Sequence, residues 1–196
     1  MEEIKPGYTR VSSLLDLMPS VEVLSDGKNK FKYILQEIDP AVLANKANIG
    51  KNIHEAIEEH FKGGGFFPLS DEEQGYYQSF LQIEKVVRFD PYVVEKRFDC
   101  DNLKITGKVD LVNKTSKGLM LVDFKTSAVA DPKKWALQAA FYCYLCNINK
   151  IDLIDQALFI KLDKEGKKPK TISFNIDTNL RATMVSLLNL YRYLLT

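Results

Sequence analysis

At 196 residues, 45% hydrophobic and 27% charged, the chain suits one folded domain with a full core, which excludes disordered, fibrous and collagen-like classes. With 27 Lys and Arg against 26 Asp and Glu the net charge is +1, so a polyanionic ligand would have to be met by cations gathered locally. No apolar run approaches the ~20 residues needed to span a bilayer, and the opening MEEIKPGYTR is neither a secretory signal nor an Arg-rich transit peptide, so a cytoplasmic protein is expected.

In chain order, Tyr8–Met18 reads as a turn and a short helix capped by Ser12 or Ser13. Lys28–Gln36 reads as a basic helix, with Lys28, Lys30 and Lys32 as a first local cation cluster or simply a solvated face. Asp39 then caps a long helix with Pro40 in its first turn and Gly63–Gly65 at its end. Ile49, Ile53, Ile57 and Phe61 mark its buried stripe. His54 lies beside that stripe, and Gly50, one turn earlier, leaves room above the imidazole for a metal or a phosphate. Glu58 replaces the second His of a zinc-protease HExxH, and Asn45 and Asn52 break a phosphate-binding P-loop around Lys51. Phe66 and Phe67 in the following loop can stack on bases or plug the core edge. Asp71–Phe89 is a second helix. Pro91–Phe98 is a strand whose Glu95, in apolar company, needs a partner, with Lys96 and Arg97 nearest in sequence.

Thr106–Thr126 is the centre of the chain: two β-favouring runs joined by the turn chemistry of Asn113–Gly118. Alternation puts Asp123 and Lys125 on one face of the second strand, with Val122 and Phe124 on the other. In an antiparallel pair Asp110 can lie opposite or diagonal to Asp123, and two carboxylates that close call for a cation between them. A hard divalent ion such as Mg2+ is the natural candidate. Asp131–Pro132 opens a helix running to Cys146, with Gln138 and Tyr142 one turn apart on one face. Cys100, Cys143 and Cys146 read as buried thiols. Ile151–Leu162 and Thr171–Ile176 read as strands around a turn rich in Lys161, Lys164, Lys167, Lys168 and Lys170, again a cation cluster or a solvated hairpin, and Asp177–Leu195 closes as an amphipathic helix. A strand–helix–strand crossover after Phe124 should bring Leu153–Lys161 parallel into the sheet. The expected fold is α/β: a mixed β-sheet, an antiparallel meander plus a parallel strand, flanked by helices. One domain is expected, with residues 1–90 mainly helical and 91–196 carrying the sheet, the Gln138 helix and the last helix.

GKVDLV, then VDFKT thirteen residues on, then QAAFY at Gln138–Tyr142, with His54 upstream, resembles the PD-(D/E)XK nuclease superfamily and, within it, the RecB-type exonuclease branch. The resemblance implies a restriction-endonuclease-like core and metal-dependent phosphodiester hydrolysis that leaves a 5′-phosphate. Asp110, Asp123 and Lys125 would be the catalytic set. His54, Asp110, Asp123, the Phe124 carbonyl and Glu95 would hold one or two Mg2+ or Mn2+ ions. Gln138, Tyr142 and Thr126 would meet the DNA. Some of the branch bind an Fe–S cluster through four cysteines; here the N-terminal one is missing, so none is expected. The implied partner is DNA, with recombination or replication proteins possible and no membrane. An endonuclease of the same superfamily, or a non-catalytic DNA-binding protein with a nuclease fold, is the alternative.

Overall fold

The computed structural model describes residues 4–18, 20–23, 29–32, 39–64 and 67–195. A short strand β1 (Thr9–Arg10) leads into the one-and-a-half-turn helix α1 (Val11–Leu15), inside which Ser12 and Ser13 fall; Arg10 takes the cap position without a side-chain bond. β2 (Ser20–Val23) and β3 (Asn29–Lys32) pair antiparallel with Ser20 opposite Lys32. This corrects the basic helix expected at Lys28–Gln36 over Asn29–Lys32, since paired four-residue strands need no helical period; residues 33–36 lie outside the described residues. Lys28, Gly65 and Phe66 lie outside the described residues.

Asp39 caps α2 (Pro40–Phe61), accepting from the Ala41 amide at 2.8 Å, and the chain leaves through Gly63 at φ +71. A capping box between Ser70 and Glu73 opens α3 (Asp71–Glu84). That helix ends five residues before Phe89, with Lys85 in the cap position. β4 (Pro91–Cys100), β5 (Ile105–Thr115) and β6 (Gly118–Lys125) make the antiparallel meander. α4 (Pro132–Ile148) then crosses over to β7 (Gln156–Lys161), which pairs parallel with β6, Asp123 beside Phe159. β8 (Lys170–Asn175) adds antiparallel at the edge, and α5 (Thr178–Leu194) closes the chain. The mixed sheet is as expected.

Two cores sandwich the sheet. On one face Ile49, Ile53 and Ile57 of α2 and Phe80 of α3 pack on Leu111, Val122 and Phe124. On the other, Leu14, Phe141 and Leu145 pack on Ile105, Val109, Leu121 and Phe159, with α5 outside. α4 is apolar nearly all round because it is enclosed by sheet and helices. All three cysteines are free and buried.

The β7–β8 turn folds back onto α3. The Asp163 amide donates to Ser79 Oγ at 3.0 Å, and Gln82 donates to the Gly166 carbonyl. A Cβ on Gly75 would stand 1.7 Å from the Lys164 carbonyl oxygen. The ~1 kcal/mol that alanine gains over glycine in a helix does not offset a backbone clash of that depth. Gly75→Ala is therefore expected to lower the melting temperature by several degrees; a rise would show that the turn lifts freely from α3.

Candidate active site

The site is built where the sheet comes apart. β5 and β6 are in register from Thr115–Gly118 up to Leu111–Val122, and their ladder stops one step short of Asp110 and Asp123. On the other edge of β5, Val94–Leu111 and Lys96–Val109 are paired while Glu95 and Asp110, between them, are not. Glu95, Asp110 and Asp123 thus occupy a single row across three strands, and at that row neither ladder closes. Glu95 adopts φ +46, a left-handed conformation rare for a non-glycine residue and one that costs about 1–3 kcal/mol. Alternation also breaks at Asp110: Val109 and Val112 join the core on the α4 side, but Leu111 joins the other. β6 bends away, and the Phe124 amide donates to Asp110 Oδ2 at 2.8 Å in place of a ladder bond.

α2 brings His54 to this row. Its Nδ1 lies 3.0 Å from Glu95 Oε1 and 3.3 Å from Asp110 Oδ2. Lys108 Nζ takes the other Glu95 oxygen, Oε2, at 2.6 Å. Glu95 therefore finds partners on a neighbouring helix and strand, rather than in Lys96 or Arg97. Ligand atoms of His54, Glu95 and Asp110 all lie within 4.8 Å of one another. One imidazole nitrogen, carboxylate oxygens and no thiolate are the donors of a hard or borderline divalent ion. Asp123 continues the row but faces other partners. Lys125 Nζ sits 2.5 Å from its Oδ1, a buried ion pair. Gln138 Nε2 donates to Oδ2 at 3.3 Å, and Lys125 donates to Gln138 Oε1 at 2.9 Å. Lys125 also lies over the Phe159 ring, 5.1 Å from its centroid. Below, the Phe124 ring meets Phe80 at 5.6 Å and Phe89 at 6.1 Å, edge to face. That anchoring holds Asp123 and Lys125 toward the α4 side.

The charges are under tension. Burial, and then the neighbouring Asp110 charge, push the Asp123 carboxyl up from 3.8 to about 7. For His54 burial favours the neutral ring, but the Asp110 charge, with Glu95 behind it, outweighs burial and raises the imidazole well above its ordinary value. For Asp110 burial is likewise outweighed, by His54 first, and its carboxyl is held low. The His54 imidazole, pushed toward its charged form by Asp110 and Glu95, lies beside both carboxylates, where a cation would stand. Three crowded carboxylates, one of them raised even with Lys125 Nζ 2.5 Å from its Oδ1, fit a site that would take a further cation.

Tyr142 lies over Gly107, where a Cβ would come 2.7 Å from its Cε1. Burial, then the Asp123 and Asp110 charges, push its phenol up. At Gly50 a Cβ would come 3.3 Å from Thr126 Oγ1, so the glycine lets Thr126 approach α2. A cavity of about 590 Å³ opens over His54, Glu95, Asp110 and Tyr142. Its wall also includes Arg10, Lys51, Arg97 and Lys108, none of them expected at the site from the sequence, and not the lysines of the β7–β8 turn. Cross-strand register gathers Arg10, Arg97 and Lys108, α2 brings Lys51, and nothing local in the sequence announces it.

Residues 69–187 match the sequence model of the PD-(D/E)XK nuclease superfamily. No curated protein matches the chain significantly. Among solved structures, a Eubacterium rectale protein with a provisional exonuclease assignment aligns over 96% of this chain and 80% of its own, at 12% identity and a TM-score of 0.52, and shows a shared fold. A phage-related exonuclease from Haemophilus somnus 129PT aligns over 93% of this chain and 90% of its own, at 14% identity and a TM-score of 0.44.

Proposed function

The chain belongs to the PD-(D/E)XK nuclease superfamily, its family match covering more than half of its length, and we propose that it is a divalent-metal-dependent deoxyribonuclease acting from DNA ends. One observation carries the reading. Glu95, Asp110 and Asp123 form a row of carboxylates at an opening in the sheet, with His54 on one side and Lys125 on the other.

His54, Glu95, Asp110 and Asp123 would hold Mg2+ or Mn2+, with the Phe124 carbonyl a further candidate. A bound divalent ion supplies Lewis-acid polarisation of the phosphate and a water of lowered pKa. The protein's own groups do the rest. Lys125, fixed by Gln138 and Asp123, offers a compact positive charge to a non-bridging phosphate oxygen and can orient the attacking water. Gln138 holds that ammonium rather than touching the phosphate itself. Tyr142, kept protonated, can donate its hydroxyl hydrogen into the cavity. Thr126, against Gly50, joins α2 to the end of β6. Preference for single strands, and a place in replication, recombination or repair, extend this reading through the exonuclease resemblance.

The test is digestion of end-labelled single-stranded DNA, linear duplex and closed circles with Mg2+, Mn2+ or EDTA. Loss of linear substrates with circles spared is expected. Cut circles would favour an endonuclease, and DNA bound but uncut with every metal would favour a binding protein on a nuclease fold.

A further inference from the structure

The cavity over the carboxylate row has a wall that family motifs do not supply. Moving back along β5 from Asp110, Lys108 is one pleat repeat away and Thr106 two, steps of ~6.8 Å along the strand. The register places Arg97 of β4 opposite Lys108. It places Arg10 of β1 beside Thr106, on the edge of β5 that β6 has vacated. Arg97 Nη1 donates to Thr106 Oγ1 at 3.4 Å, which ties the two rows together. Lys108, Arg97, Thr106 and Arg10 all line the one cavity. The N-terminal segment is held there by three further contacts: the Thr9 amide donates to the Lys104 carbonyl at 2.8 Å, Lys5 pairs with Asp99 at 3.1 Å, and Tyr8 donates to Asp101.

A cavity floored by carboxylates repels a polyanion unless cations stand beside them. Here Lys108, Arg97 and Arg10 stand along the strand wall, in successive rows leading away from the floor, while Lys51, Glu55 and Glu58 of α2 also line the cavity. We propose that Lys108, Arg97 and Arg10 form a phosphate track that grips the nucleic-acid backbone next to the cleavage position, making β1 part of the substrate site. This rests on the nuclease reading of the same cavity. Phosphate contacts position a strand without reading its bases, so the track carries no sequence preference. Lys108 leaves Glu95 for the phosphate when substrate enters.

The experiment uses the full chain and a fluorescent single-stranded oligonucleotide, with binding followed by anisotropy in EDTA across a salt series. Arg10→Gln and Lys108→Gln are compared with wild type and with Lys168→Gln, on the distant β7–β8 turn. Each track variant is expected to bind about tenfold more weakly and to flatten the slope of log affinity against log salt by about 0.7. Lys168→Gln should do neither. With Mg2+, Arg10→Gln should raise KM with little change in kcat, and Arg10→Lys should recover most of the binding. Melting curves matching wild type would assign the loss to contact. Should Arg10→Gln melt early, Arg10→Lys against Arg10→Met, both keeping the backbone pairing, isolates the charge. Unchanged slopes in both track variants, or an equal loss in Lys168→Gln, would overturn the track. A wild-type protein that binds with the expected slope but cleaves nothing would sink the nuclease reading and leave the track standing.

Discussion

Asp123→Asn is expected to lower DNA cleavage by about a thousandfold and, in EDTA, to make the protein more stable. The first effect follows if this carboxylate helps hold the metal and Lys125. The second follows from its surroundings: burial and the Asp110 charge raise its carboxyl from 3.8 to about 7. A carboxyl raised on folding binds more protons in the folded than in the unfolded state between those values. Stability of the metal-free protein from this group therefore falls as pH rises from about 4 to about 7, and the penalty is full above that window. His54 acts in the same direction, since its raised imidazole contributes stability that fades as pH climbs through its folded value. At pH 8 the neutral amide should recover about 1–3 kcal/mol, a rise of several degrees in melting temperature, less what is lost with the Lys125 pair. Millimolar Mg2+ should raise the wild-type midpoint and narrow the gap, because a ligand of the folded state stabilises it by mass action. A destabilised Asp123→Asn protein in EDTA would show that the Lys125 pair outweighs the repulsion. A fully active one would remove Asp123 from the site.

Gly107→Val is expected to cost about 2–4 kcal/mol and to cut activity by about a hundredfold, although Gly107 makes none of the polar contacts of the site. A Cβ there would stand 2.7 Å from Tyr142 Cε1 and 3.0 Å from Leu145 Cδ1. Both belong to α4, which is closed in by β5 and α5, so the added methyls have nowhere to go. The helix must move, and it carries Gln138 one turn before Tyr142. A shift of about 1 Å breaks the 2.9 Å bond that fixes Lys125. Thermal melting and single-turnover cleavage check the two halves separately. A Gly107→Val protein with a wild-type midpoint would show that α4 can yield.

The centre of the site was legible because strand geometry is so regular. An Asp–x–Lys run in a β-strand can only place both charges on one face, and a short turn brings the preceding strand's Asp within reach. His54 was legible as the polar residue beside a buried helical stripe. Glu95 was visible only as a carboxylate in the wrong company. Its real partners, His54 and Lys108, come from a distant helix and the next strand, and its positive φ has no signature in VVEKR. Arg10, Arg97 and Lys108 each look like ordinary surface cations until register lays them along one wall. Thr126 opposite Gly50 escapes the sequence for the same reason: a glycine announces that something comes close, not what. The β2–β3 pair escapes it because its strands are too short to show a period.

The edge of β5 vacated by β6 and taken by β1 has a consequence for how the molecule assembles. Thr9 pairs with Ile105, about a hundred positions along the chain, whereas the β4–β5–β6 meander joins near neighbours. Contacts that close so long a loop form late, after their entropy cost can be met by structure already in place. β1 would then be among the last elements to find its partner. Until it does, the carboxylate row can exist with one wall of its cavity missing. Native-state hydrogen exchange should find the Thr9 amide opening at far lower free energy than those of Leu111 or Val122, so the protein would gain its full grip on a substrate only in the final step of folding.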